Sequence, residues 1–185
     1  MDSRDKILET AARLFQVKGY HATGLNEIIA ASGSPKGSLY YYFPGGKVEL
    51  AVEAIRFASN VIVRRGKRIL SSESDPTKAI QLNIEDIAEH FRSGGASDDL
   101  SFCMIALESS NENEQLRLAC EAAFDERERL FFDKLLAGGY AEEEARRLAA
   151  LVQILIEGAI VATRTRKDVA ALVEVSALIP SLLSR

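Results

Sequence analysis

Apolar residues recur at helical spacing from one end of this 185-residue chain to the other. In the first segment, from Ser3 to Lys18, Ile7, Leu8, Ala11, Leu14 and Phe15 stand three or four apart. That spacing makes one apolar face, and Gly19 supplies a stop. A second helix reads from Thr23, a residue suited to the N-cap, through Leu25, Ile28 and Ile29 to about Ala31. In the turn Ser32-Gly33-Ser34-Pro35, Ser34 can cap and Pro35 suits a first helical position. A short third helix runs to Phe43, ahead of Pro44-Gly45-Gly46. Longer helices follow at about 47–70, 77–93, 99–110, 112–137, 141–166 and 168–184, punctuated by Ser71–Pro76, Gly94-Gly95, Gly138-Gly139 and Arg166-Lys167. No stretch alternates like a strand, so the fold class is all-α. The natural boundary lies near Gly46. It separates a three-helix domain, 1–46, with a connecting helix, 47–70, from a second domain, 71–185.

Composition narrows the class. Hydrophobic residues make up 47% and charged residues 27%, as in a globular chain able to bury its own core. Two cysteines, Cys103 and Cys120, are too few for a disulfide scaffold and fit a reducing compartment. Cys103 reads as a small buried hydrophobe, with a redox role as the alternative. The N-terminus has no secretory apolar core. The longest apolar run, Leu148 to Ala162, is interrupted by Gln153 and Glu157 and falls short of the ~20 residues of a membrane span. The expectation is a soluble cytoplasmic protein without membrane contact. His21 and His90 lie far apart, and no metal spacing, nucleophile elbow or phosphate loop occurs, so no cofactor, metal or catalytic residue is expected. Net charge is −4, but residues 1–50 carry six basic against five acidic side chains. Such a head can approach phosphate while an acidic body argues against indiscriminate coating of nucleic acid.

Two short helices joined by a glycine-containing turn make a helix-turn-helix, whose second helix can enter a major groove. Leu39 and Phe43, four apart, share the buried face of that helix. Lys36, Gly37, Ser38, Tyr41 and Tyr42 then point outward, with Tyr40 near the boundary. A helix needing only stability gains nothing from Gly37, which costs about 1 kcal/mol relative to alanine. It makes sense where another backbone comes close. The alternative is a solvated helix with tyrosines packed on the first helix.

The stretches Thr23-Gly24-Leu25-Asn26-Glu27-Ile28-Ile29-Ala30 and Gly33-Ser34-Pro35-Lys36-Gly37-Ser38-Leu39-Tyr40-Tyr41-Tyr42-Phe43-Pro44 resemble the TetR family of bacterial transcriptional regulators. The end of the first helix, Ala11-Ala12-Arg13-Leu14-Phe15 with Lys18-Gly19-Tyr20, is similar too, and the match spans about residues 4–58. Gly45-Gly46-Lys47 departs from the commonest pattern and resembles the branch of drug-efflux and flavonoid-responsive repressors. The resemblance implies that Thr23 caps the second helix and touches a phosphate. Lys36, Gly37 and Ser38 face base edges beside Tyr41, Tyr40 and Tyr42 hold phosphates, and Lys47 adds another.

In the body, Ala145, Leu148, Val152, Leu155, Ala159 and Ala162 follow alternating steps of three and four, as do Val169, Leu172, Ser176, Ile179 and Leu183. These seams pair two protomers in a four-helix bundle or face the protomer's own core. The resemblance implies the former, with Leu148, Val152, Leu155, Ala159, Ala162, Leu172 and Ile179 at a homodimer interface and a palindromic DNA operator. It also implies a pocket for a small apolar or aromatic inducer. Phe91, Phe102, Met104, Leu107 and Phe124 are candidate walls, with Glu121, Asp125 and Glu157 as polar groups. The expected function is therefore a ligand-responsive, dimeric repressor. A small helical enzyme, or a helical adaptor without DNA binding, is the alternative.

Overall fold

The computed structural model describes residues 2–93, 103–109 and 113–184. Among them are nine α-helices: α1 (Ser3–Lys18), α2 (Leu25–Ser32), α3 (Lys36–Tyr42), α4 (Gly46–Ser71), α5 (Pro76–Arg92), α6 (Cys103–Ser109), α7 (Glu114–Ala137), α8 (Glu142–Arg166) and α9 (Ala170–Leu182). The all-α expectation is met. The chain forms two compact units, one of Met1–Val61 with Ala96–Ala123, the other of Ile62–Gly95 with Phe124–Arg185.

In the first unit α1 packs against α2, α3 and α6. Asp2 caps α1 by accepting from the Asp5 N–H at 2.9 Å, and Gly19 ends it with φ +83°. Ile7, Leu8, Ala11, Leu14 and Phe15 are all buried, as their spacing requires. Ile28 from α2, Leu39 from α3 and Phe43 just after it are buried in the same unit, which fixes how the two short helices are presented.

Two capping expectations shift by one residue. The N-cap of α2 is Gly24, not Thr23, and Pro35 itself caps α3, with no side-chain bond at either position. Thr23 is completely buried, and its hydroxyl lies 2.7 Å from the Gly19 carbonyl and 3.2 Å from that of Leu14. An oxygen engaged as a donor to the end of α1 is turned away from the α2 amides it was expected to cap.

The second unit is built around α5, α8 and α9, with α9 packed on both others. Its core includes Ile80, Ile84, Leu135, Val152, Ile156, Leu172 and Ile179. α8 is long and apolar enough to cross a membrane by length and composition, but half of its apolar window is buried inside the unit, which suits a core helix. Pro180 stands inside α9, where a missing N–H leaves the carbonyl four residues back unpaired. That carbonyl, of Ser176, accepts instead from the Gln81 side chain of α5 at 3.0 Å. Among the described residues, an ion pair is sunk in this unit. Arg127 of α7 meets Glu157 of α8 at 2.5 Å, and Gln153 donates to the same carboxylate oxygen at 3.2 Å.

Candidate nucleic-acid interface

Seven residues of α3 rest on the head through Leu39, which is fully buried, while the opposite face stays open. Lys36 and Gly37 are exposed, Ser38 is half-buried, Tyr40 is 47% exposed and Tyr41 is 80% exposed. Tyr42 is half-buried and packs edge-on against Tyr41, with ring centroids 5.1 Å apart. The tyrosines are therefore not packed away on α1, as the alternative reading required. A Cβ built on Gly37 meets nothing within 4 Å, so nothing in the protein itself asks for glycine there. Gly33 does have an internal reason: at φ +63° it makes the left-handed turn that sets α3 against α2. The surface thus offers an ammonium, hydroxyls and a bare patch of backbone along one helix. Those groups can meet phosphates and base edges at close range.

Two residues carried over by resemblance sit differently. Thr23, with its hydroxyl buried, presents no side-chain oxygen to a phosphate. Lys47, at the start of α4, is half-buried and folded onto the turn after α1. Its Nζ donates to the His21 carbonyl at 3.3 Å and lies 4.5 Å from the centre of the Tyr20 ring. Burial lowers the Lys47 pKa, and the Glu108 carboxylate nearby pushes it back up.

The proposed ligand residues scatter. Phe91 packs against the second unit's core with the Arg164 guanidinium 5.9 Å from its ring centre. It lines an open groove of about 550 Å³ together with Arg92, Thr163, Lys167 and Val169. Phe102 lies outside the described residues, and of Met104 only its place on α6 is described. Leu107 is 77% exposed and is corrected from pocket wall to surface residue. Glu121 is exposed and ion-paired with Arg117 at 3.0 Å, and Asp125 is exposed. Phe124 is half-buried. Glu157 is buried, held by Arg127 as described above, a partner that sequence reasoning missed.

The seam residues also need correction. Leu148, Val152, Ala159, Leu172 and Ile179 are buried within a single protomer's core, so they are not available to a second copy. Leu155 and Ala162 are half-buried. On α8 the outward apolar residues are Leu151, Ile154 and Val161, at 40%, 65% and 47% exposure, and on α9 they are Val173 and Leu178. On α8 this second stripe lies a residue or two off the first and follows the same three–four rhythm, with Gly158 exposed along it.

A three-helix head with a tight glycine turn and an exposed second reading helix defines a helix-turn-helix DNA-binding protein. Known proteins agree. The profile of bacterial regulatory proteins of the tetR family matches residues 7–54, and that of the C-terminal domain of LmrA/YxaF-like transcriptional regulators matches residues 76–178. The chain is 42% identical to the uncharacterized HTH-type transcriptional regulator YxaF of Bacillus subtilis (strain 168) over 184 residues, covering 100% of this chain and 96% of that protein. It is 40% identical to the HTH-type transcriptional regulator LmrA of the same organism, again over 184 residues, covering 100% of this chain and 98% of LmrA. The crystal structure of the reduced form of E. coli NemR superposes with a TM-score of 0.86 at 21% identity, covering 98% of this chain and 96% of that one. The chain belongs to the TetR family of transcriptional regulators, and it is a regulator of transcription and not an enzyme.

Proposed function

We propose that this protein is a dimeric repressor that reads a palindromic operator through α3 and leaves it when a small apolar or aromatic ligand binds the body. The observation that carries the reading is the open face of α3, where Lys36 and Tyr41 project and Gly37 exposes backbone. Lys36, Gly37 and Ser38 are assigned to base edges with Tyr41, while Tyr40 and Tyr42 flank them at the phosphates. Dimerisation is assigned to the outward stripe of α8 and α9, centred on Ile154, Val161, Val173 and Leu178, with Leu155 and Ala162 at its edge. Exposed aliphatic side chains at three–four spacing on α8, with two more on the next helix, suit a self-complementary, two-fold contact. Two heads related by that axis would meet two inverted half-sites.

The ligand part of the reading is supported by the match to the LmrA/YxaF-like C-terminal domain and by the groove at Phe91. A ligand releases DNA only if it binds the DNA-free arrangement better than the bound one, so its effect equals that difference in affinity. A repressor acting on chromosomal DNA would work in the cytoplasm. Lys36→Ala and Tyr41→Ala test α3 directly. Each is expected to weaken binding to duplexes from upstream of the protein's own coding sequence about tenfold or more, the worth of a good base or phosphate contact, with melting temperature unchanged. Unchanged affinity in both variants would remove α3 as the reading element.

A further inference from the structure

The turn after α1 holds an anion that α3 does not use. Glu108, on α6, accepts a hydrogen bond from the Tyr20 N–H at 2.6 Å and a longer one from the His21 N–H at 3.3 Å, both through Oε2. Its Oε1 occupies the place where a Cβ on residue 19 would stand, and Gly19 there has φ +83°. The carboxylate fits because residue 19 is glycine. Three consecutive residues, Gly19, Tyr20 and His21, are thus shaped around one side chain from a distant part of the sequence.

Lys47 meets the same turn. Its ammonium donates to the His21 carbonyl at 3.3 Å and sits over the Tyr20 ring. The His21 residue therefore gives its N–H to a negative charge and its carbonyl to a positive one. Burial works against the charged form of Lys47, and Glu108 works for it. A neutral acceptor of the same length could still take both turn amides, though more weakly than a carboxylate. What the negative charge adds is a hold on Lys47.

We propose that Glu108 is a positioning residue acting through Lys47: docked on the turn at 19–21, its charge keeps the Lys47 ammonium at the His21 carbonyl and withholds it from a DNA phosphate. The inference rests on the reading of the head as DNA-binding. It makes the strength of that binding depend on the placement of α6, and it predicts that one phosphate contact stays in reserve while Glu108 is charged and seated.

Glu108→Gln separates charge from shape, because glutamine keeps the length and an acceptor oxygen. Glu108→Asp keeps the charge. Fluorescence anisotropy would follow wild type, both variants, Lys47→Ala and the Glu108→Gln/Lys47→Ala double variant across a salt series, with a melting curve for each. The probes are a labelled duplex from upstream of the protein's own coding sequence and a shuffled duplex of equal length. Glu108→Gln is expected to bind about twofold to fivefold tighter, the scale of one exposed ion-pair partner. Its plot of log affinity against log salt should steepen by about 0.9, the signature of one more neutralised phosphate. Both gains should vanish when Lys47 is alanine, and Glu108→Asp should keep the wild-type slope. An unchanged or weaker Glu108→Gln, or a gain that survives without Lys47, would overturn the proposal, since a purely structural carboxylate would act independently of Lys47. Wild-type protein that bound neither duplex would overturn the DNA-reading head itself, and this inference with it.

Discussion

Gly37→Ala should move stability and DNA affinity in opposite directions. The residue lies in the first turn of α3 with helical backbone, and a Cβ added to it meets nothing within 4 Å. No clash and no strain oppose the change, so the folded state gains what glycine costs in a helix, about 0.5–1 kcal/mol. Part of that gain comes from restricting the unfolded chain. For a protein of this length it corresponds to a melting temperature raised by about 1–4 °C. On DNA the added methyl sits where backbone and base edges are proposed to close on each other. Forcing a methyl into a close-packed contact costs about 1–3 kcal/mol, or roughly fivefold to 150-fold in affinity. Differential scanning fluorimetry and an anisotropy titration on the same preparation measure both. A variant that is more stable and binds as tightly as wild type would refute the close-approach argument. A variant that loses stability would refute the reading of the open Cβ space.

Other outcomes follow from the second unit. Arg127 and Glu157 are only 5% and 8% exposed, so Arg127→Met, which removes the cation opposite a buried carboxylate, should cost about 3–5 kcal/mol in urea unfolding. Adding Glu157→Leu should recover most of it, because a paired apolar replacement strands no charge. A loss below about 1 kcal/mol, or a double variant no better than the single, would contradict that account. Ile154→Glu with Val161→Glu, both on the outward stripe of α8, should yield a folded monomer by light scattering, whose melting temperature no longer rises with protein concentration. A dimer that survives both charges would move the interface elsewhere.

The helices were legible in the sequence because their apolar spacing is strong and their ends carry glycine, proline and polar stops. Ser3–Lys18 and the start of the Pro76 helix match their signals closely. The face of α3 was legible too, since burying Leu39 and Phe43 leaves only one way for Lys36 and Tyr41 to point. Thr23 misled because a hydroxyl beside a helix start can turn either way, and here it turns back to the carbonyls of Gly19 and Leu14. α8 misled for a different reason. It is apolar on two faces, and a three–four rhythm runs through both Leu148-Val152-Ala159 and Leu151-Ile154-Val161. Periodicity finds such stripes but does not say which one faces the protomer's own core. Glu108 and Arg127 were invisible because their partners, Tyr20 and Glu157, lie 88 and 30 residues away. No local pattern marks a side chain whose role is set by long-range packing. Pro180 shows the same principle in reverse, as its breaking effect is offset by Gln81, 95 residues before Ser176.

Whether α3 reads DNA as one of a symmetric pair is measured by footprinting on selected genomic fragments. Fragments retained by the protein at two salt concentrations would be digested with and without it. One protected segment with inverted half-sites is expected, bound more weakly at the higher salt, as phosphate contacts require. Protection of a single, asymmetric half-site would contradict the paired heads. Retention of no fragment at either salt concentration would contradict DNA reading by α3 altogether.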